Sequence, residues 1–360
     1  MKDQKSPIFY KRSIFSLFSL LSGLPKNLIC SKCLFFIGPM PVNLDRSSLL
    51  DIYKKEYLIL EKSDGIRYLF FCDLEKFFII DRKMKTNVIF KEKNQTQKIL
   101  NFLDGELTFN LFFEKYYYLI YDAGIIKGDW RISSWDLYSR LRAVNVFIFF
   151  FNLKISKKKN FIIEKIFFYK YNLKKILDAI SINIYTKEHL FLNVGTNHQS
   201  HCNKNDGIIF SPLKTNYSFR TTCTTFKWKY EFENTIDLMF NKKFSGELTK
   251  NSKNSSFSLV SIQNRNKLFK VYESKKPGLF WKKKVSIHNK LKNIGEFRYI
   301  QKKGSWTLRK VRFDKITPNS LKLLINTLKI ITECIIKAEL LDNIIKFQTR
   351  KERGKCCEKY

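Results

Sequence analysis

Within the stretch EKSDGIRYLFF, residues 61 to 71, Lys62, Asp64, Gly65 and Arg67 stand between two apolar runs. A solvated run of charges has no need of that order; a nucleophile beside a turn does. A lysine attacks only as the neutral amine, which requires its pKa to fall through burial or neighbouring cations. Arg67 is close in sequence, and Gly65 lets the chain turn so that both side chains could face one pocket. The same short pattern also describes a lysine at an ordinary hairpin, so other residues must decide between the two.

Four further clusters bear on the choice. Asp104 and Glu106 stand among apolar residues in LDGEL, where an unpaired buried carboxylate would be costly, so hydroxyl or metal ligation is expected. Asp206 opens DGIIF and is a hard oxygen donor suited to Mg²⁺. In FKWK, Lys227 and Lys229 alternate and so share one face of a strand, where two cations converge most easily on a phosphate. VRFDK brings Arg312, Asp314 and Lys315 together near the end of the chain.

The elements that must position these groups read mostly as strands between about residues 57 and 125. YLILEKSDGIRYLFFCD predicts strand, tight turn and strand; KFFIIDRKMKTNVIF predicts a hairpin around 83–86; TFNLFFEKYYYLIYDA predicts another strand pair rich in aromatics. Residues 160–182 show a helix-like period, and NDGIIFSPL and TTFKWKYEF read as short strands. The Ser-, Asn- and Lys-rich run near residue 240 suggests a hinge, with a second group of short strands over 256–314. NSLKLLINTLKIITECIIKAELLDNIIKF predicts an amphipathic helix, capped by Asn319 or Ser320. The chain thus reads as a mixed α+β domain, a small β domain and a closing helix that packs back on the first.

Composition sets outer bounds. With 360 residues, 44% hydrophobic and 16% aromatic, the chain can bury one large core or two smaller ones. Lys and Arg outnumber Asp and Glu by 67 to 32, a net charge of +35 that tolerates polyanions, although AT-rich codons also enrich Lys, Asn, Ile and Phe. Only Cys30 and Cys33 form a C-x-x-C, and His198, His201 and Cys202 lack an obvious fourth ligand, so neither a zinc centre nor a disulfide framework is expected. The uncharged run from Ser13 to Pro25 is too short to span a bilayer; it suits a targeting peptide or an N-terminal packing helix, and no membrane association is expected.

Taken in order, K-x-D-G-x-R at 62–67, D-G-E at 104–106, D-G-I-I-F at 206–210, K-W-K at 227–229 and R-x-D-K at 312–315 resemble the covalent nucleotidyltransferases, that is, capping-enzyme guanylyltransferases and ATP-dependent polynucleotide ligases. GPMPVNLDRSSL, FFIIDRK, YLIYDAGIIKG, FKWKYEFENTIDL and GSWTLRKVRFDK look like the corresponding stretches of cellular mRNA guanylyltransferases, over roughly residues 38 to 345. The resemblance implies an α+β fold: an N-terminal extension over 1–37, then a nucleotidyltransferase domain of ATP-grasp-like antiparallel sheets with helices over 38–238. A helix at about 319–347 would join that domain, and an OB-fold β-barrel would occupy 239–318.

It further implies that Lys62 attacks the α-phosphate of GTP and forms a Lys-GMP phosphoramidate. Arg67, Arg82 and Glu106 would hold the ribose and Tyr121 would stack on guanine. Asp206 would bind Mg²⁺ or Mn²⁺, Lys227 and Lys229 would contact the α-phosphate, and Asp237 would support that site. Arg312, Asp314 and Lys315 would align the β- and γ-phosphates. A guanine-contacting lysine is expected between 129 and 200, with Lys165 and Lys170 as candidates. The acceptor implied is 5′-diphosphate RNA. No H-C-x-x-G-x-x-R loop is found, which implies a separate RNA 5′-triphosphatase subunit. The phosphorylated C-terminal tail of RNA polymerase II and a nuclear location follow from the same resemblance. The rival readings are an ATP-dependent ligase and a non-catalytic RNA-binding relative. Gly124 departs from the larger apolar residue usual in this family, and residues 129–200 match it poorly.

Overall fold

The computed structural model describes residues 38–73, 76–82, 86–91, 101–155, 162–164, 167–186, 188–193, 201–218, 222–230, 233–243, 256–262, 268–274, 294–300, 305–312, 315 and 317–343. It opens with β1 (Pro41–Asn43) and helix α1 (Arg46–Lys54), then β2 (Tyr57–Ser63) and β3 (Ile66–Asp73). The hairpin of β4 (Lys76–Ile80) and β5 (Thr86–Lys91) precedes the long pair β6 (Asn101–Asn110) and β7 (Lys115–Ile125). Helix α2 (Leu137–Ile155) leads to β8 (Ile162–Glu164), β9 (Phe167–Tyr169), the short helix α3 (Leu173–Asp178) and β10 (Ile180–Ile182). Then come β11 (His189–Asn193), β12 (His201–Pro212) and β13 (Thr222–Lys229). β14 (Thr235–Lys243), β15 (Ser256–Ile262), β16 (Leu268–Ser274), β17 (Ile294–Ile300), β18 (Ser305–Val311) and α4 (Leu321–Thr332) follow. After a break at 333–336, which interrupts the single helix expected over about 319–347, residues 337–343 are helical again.

The chain divides into two compact units, the larger built mainly from 48–228 and the smaller from 43–47 with 229–342. The larger unit holds two sheets. One runs β1-β13-β12-β11-β10, with β2 on β12 and β9 on β2; the other runs β5-β4-β3-β6-β7-β8. All pairings in the second sheet are antiparallel except β7 with β8. β2 and β3 therefore do not form the hairpin that their spacing suggests: two residues, Asp64 and Gly65, carry the chain from one sheet to the other. Gly65 is needed here for space. A Cβ on it would lie 2.6 Å from the Leu107 carbonyl oxygen and 2.7 Å from the Thr108 methyl.

Val144 and Phe147 of α2 join Phe70, Leu103, Tyr118 and Ile120 in the core beside the second sheet. Each such side chain contributes roughly 1.5–3 kcal/mol by leaving water. Asp136 starts the helix: its carboxylate accepts from the Ser139 backbone N–H at 2.9 Å, and these bonds hold its pKa below the usual carboxylate range.

In the smaller unit, five antiparallel strands run β16-β15-β14-β17-β18. The sequence reading attaches the terminal helix to the larger domain; its Leu324 instead joins Ile236, Leu238, Phe297 and Trp306 in this unit's core. A sheet with one apolar face needs such a cover. The Ser320 hydroxyl caps α4 by accepting from the Leu323 N–H, whereas the Asn319 side chain accepts from the Asp237 N–H at 2.7 Å. Arg46 pairs with Glu339 in the same unit.

One other expectation changes. Residues 162–182 form β8, β9 and β10 around one short helix, because their backbones find strand partners in β7, β2 and β11. The long helix α2 carries no clear polar face along VFIFFF, which hides its period from pattern reading. Of the Ser-, Asn- and Lys-rich run near residue 240, β14 takes in residues up to Lys243 and pairs with β15, while residues 244–255, where the hinge is expected, lie outside the described residues. Residues 1–37, Lys165 and Asp314 lie outside the described residues, as does the side chain of Lys170.

Candidate active site

Lys62 is the penultimate residue of β2, and its partner across the ladder is Gly207 of β12. The register slips between Asn205 and Gly207, so Asp206 is the extra residue of a β-bulge. A bulge re-aims a side chain, and this one sets Oδ2 of Asp206 2.6 Å from Nζ of Lys62. Asn205 clamps the bulge: its side chain accepts from the Gly207 N–H at 2.8 Å and donates to the Gly207 carbonyl at 3.0 Å. Gly207 sits at φ +137°, a conformation suited to glycine. Burial drives the Lys62 pKa down, but Asp206, then Glu106 and Asp64, hold it above the ordinary lysine value. The resting amine is therefore an ammonium.

Arg67 is the second residue of β3, facing Glu106 of β6 across the register. Its guanidinium is 5% exposed and bonds both oxygens of the fully buried Asp104, at 2.9 and 2.5 Å. Nη1 donates to the Pro39 carbonyl at 2.9 Å. Burial opposes the charge on Arg67, yet Asp104 keeps its pKa well above the arginine norm. Asp104 thus anchors Arg67 and also accepts from the Tyr217 hydroxyl at 2.8 Å. The Tyr121 ring lies 5.5 Å from the Arg67 guanidinium carbon, and burial pushes its hydroxyl, which also donates to Asp104, well up. Glu106 accepts from the Gly65 N–H at 3.2 Å.

Lys62, Arg67, Arg82, Glu106 and Tyr121 line one cavity. Arg82 is exposed, just beyond the end of β4. Thr215, Asn216, Ser218, Thr222, Thr224 and Thr225 line the same cavity and make its surface rich in hydroxyls, with one amide. A lining that combines cations with hydroxyl and amide groups suits a phosphate-bearing ligand such as a nucleotide.

The remaining sites fall elsewhere. On β13, Phe226 and Trp228 are buried, which puts Lys227 and Lys229 on the other face, as the alternation predicts. Asp237, Arg312 and Lys315 cluster in the smaller unit. Nη1 of Arg312 lies 3.2 and 3.3 Å from the two Asp237 oxygens, and Lys315 donates to the same carboxylate. Glu296 stands opposite Asp237 on β17, 3.6 Å from Arg312.

Pattern reading passes over three residues, two of which line the cavity. Asp122 in YYYLIYDAGII needed a cation, since a carboxylate in an apolar strand is costly unpaired. That cation is Arg140, and both line the cavity. Tyr217 is the third, and nothing in its local sequence announces its bond to Asp104.

Comparison with known proteins gives a consistent result. Residues 21–231 match the family described as mRNA capping enzyme, catalytic domain, and residues 233–341 match mRNA capping enzyme, C-terminal domain. The chain is 25% identical over 339 residues to "mRNA-capping enzyme subunit alpha" of Schizosaccharomyces pombe, covering 85% of this chain and 79% of that protein. It is 26% identical to the subunit alpha of Neurospora crassa, covering 58% of this chain and 54% of the relative. With "mRNA-capping enzyme" of Caenorhabditis elegans it shares 23% identity over 91% of this chain, or about half the relative (51%). Among solved structures, "mycobacterial DNA ligase D complexed with ATP and MES" superposes with a TM-score of 0.38 at 11% identity, covering 78% of this chain and 96% of that one.

Proposed function

This chain belongs to the mRNA capping enzyme family, and from that footing we propose that it is an mRNA guanylyltransferase, moving GMP from GTP to the 5′-diphosphate end of RNA. The observation that carries the reading is Lys62, held by the Asp206 bulge at the end of a cavity that also presents Arg67, Arg82, Glu106 and Tyr121.

In the first step the neutral Lys62 amine, having given up a proton, attacks the α-phosphorus. A P–N bond forms as the bond to the pyrophosphate oxygen breaks. In the second, a terminal phosphate oxygen of the RNA attacks the same phosphorus. The P–N bond breaks, the lysine regains a proton and GpppN-RNA is released. Both steps need positioning and charge neutralisation more than covalent help. Arg67, anchored by Asp104, is proposed with Arg82 and Glu106 for the ribose, and Tyr121 offers a ring for guanine. Lys227 and Lys229 are proposed for the α-phosphate, and Arg312 with Asp314 and Lys315 for the leaving phosphates. Asp237 keeps Arg312 and Lys315 together.

Mg²⁺ or Mn²⁺ fits the hard carboxylate of Asp206. Among the described residues no three His, Cys, Asp or Glu side chains gather into an ion site, so the ion would be shared between Asp206 and the triphosphate. When bound, it supplies charge neutralisation on the phosphates. Once Asp206 turns away from Lys62, burial weighs more heavily against the ammonium and favours the reactive amine.

We also propose that the smaller unit, with five antiparallel strands, is an OB-fold. A nuclear location, a separate RNA 5′-triphosphatase and docking to the phosphorylated polymerase tail complete the reading; the net charge of +35 supports phosphate-bearing partners. The test is a denaturing gel after incubation with a divalent metal and α-labelled GTP or ATP. Label from GTP that Lys62→Ala abolishes supports the proposal. Label from ATP alone assigns ligase chemistry, and none from either leaves a nucleic-acid binder.

A further inference from the structure

The ladder between β6 and β7 seats Asp104 directly opposite Asp122. Both are buried, 0% and 6% exposed, and like charges facing each other across a pair of strands destabilise it. Each is answered by its own arginine. Asp104 takes Arg67; Asp122 takes Arg140, at 2.7 Å from Nε and 2.9 Å from Nη2. Neutralising two carboxylates does not exhaust what these groups do. Nη1 of Arg140 reaches past Asp122 and donates to the carbonyls of Trp135 and Thr215, each at 2.5 Å. The Tyr217 hydroxyl, two residues beyond Thr215, donates to Asp104 at 2.8 Å.

Both acids are thus tied to the same short segment, which leaves β12 after Pro212 and leads toward β13. Its backbone is pinned as well: Leu213 N–H donates to the Glu56 carbonyl at 2.9 Å and Tyr217 N–H to the Ser133 carbonyl at 2.8 Å. Thr215, Asn216 and Ser218 of this segment line the cavity together with Tyr121 of β7. A connection between strands would ordinarily be among the more mobile parts of a fold. This one is bonded at alternate residues, 213, 215 and 217, to Glu56, Arg140, Ser133 and Asp104.

We infer that Arg140 and Tyr217 are positioning residues for the nucleotide: they hold the 213–218 segment at a set distance from the Tyr121 strand and so fix the width of the cavity. The inference rests on the guanylyltransferase reading for its substrate and on the geometry alone for its logic. A buried arginine in an ion pair also stabilises simply by not leaving a carboxylate unpaired, so the test must move something that stability does not. Arg140→Lys keeps the positive charge by Asp122 but cannot span both carbonyls, and Tyr217→Phe removes one hydroxyl.

The experiment measures Lys62–GMP formation against GTP concentration in the full chain, with competent enzyme counted from the labelling end-point. In Arg140→Lys, KM for GTP is expected to rise by about tenfold, well beyond any fall in the saturating rate, and in Tyr217→Phe by about threefold. Because both act on one segment, the double variant should rise by less than the product of the two. A loss of labelled fraction with KM unchanged would overturn the inference, leaving Arg140 only a folding role. If Arg140→Lys does not fold, Tyr217→Phe decides alone, and an unchanged KM there overturns it. If the wild type takes no label from GTP, the capping reading fails separately; equilibrium binding of fluorescent GTP and ATP analogues then decides. Weaker binding by the variants supports the inference and equal binding sinks it.

Discussion

Nζ of Lys62 and Oδ2 of Asp206 meet at 2.6 Å because Asp206 is the surplus residue of a bulge in the strand opposite. In a regular ladder, that side chain would take its place in the alternation of the sheet and its aim would be set by the pleat. The bulge frees it from the alternation, and Asn205 then locks the result.

Replacing Asp206 by Asn separates two effects. Asp206 is the foremost influence raising the Lys62 pKa against burial, so the pKa should fall in the variant. Reaction of Lys62 with an amine-directed reagent, followed by mass spectrometry across a pH series, should begin at lower pH than in the wild type. GMP transfer should nevertheless drop by about tenfold or more if the carboxylate also engages a metal. An unchanged modification profile would show that Asp206 does not govern the lysine.

The same pair makes a signed prediction for stability. Lys62 is raised in the folded state, so its pairing stabilises fully below the ordinary lysine pKa of about 10.4 and is lost as pH rises through the higher folded value. Wild type should therefore lose stability over Lys62→Met in that alkaline window, seen as converging melting curves. Parallel curves there would contradict the assignment.

Asp104→Asn should be among the most damaging substitutions in the larger unit. It leaves Arg67 buried at 5% exposure with half its anchor, and breaking a buried pair costs about 3–5 kcal/mol. Chemical denaturation measures this; a loss below about 1 kcal/mol, the scale of a single neutral hydrogen bond, would mean that Arg67 has found water.

Gly65→Ala tests packing at the crossing. The added methyl would meet the Leu107 carbonyl oxygen at 2.6 Å, and such overpacking costs typically about 1–3 kcal/mol. The shift also displaces Glu106, which bonds the Gly65 N–H, so GTP labelling should fall along with the melting temperature. Wild-type behaviour in both would place no demand on this glycine.

How much of this was legible in the sequence depends on distance along the chain. The lysine element, D-G-E and D-G-I-I-F are local patterns, and the structure brings Lys62, Arg67 and Glu106 to one cavity, with Asp206 against the lysine. Tyr217 and Arg140 are different. Their bonds run to Asp104, 113 residues away, and to Thr215, 75 residues away, and no short window contains both ends. Element type failed where local propensity was overruled: β9 is a strand because β2 offers it a ladder. Ser320 was readable as a cap because capping is a contact over three residues.

The crossing at Asp64 and Gly65 sets a rule for what this chain can tolerate in its length. Loops between paired strands usually accept insertions, since the ladder on either side keeps its own register. Here the two-residue link joins Lys62, counted along one sheet, to Arg67, counted along another. A single residue inserted there changes no ladder hydrogen bond, yet it alters the spacing of nucleophile and anchor. Between these two sheets the count of residues is a caliper.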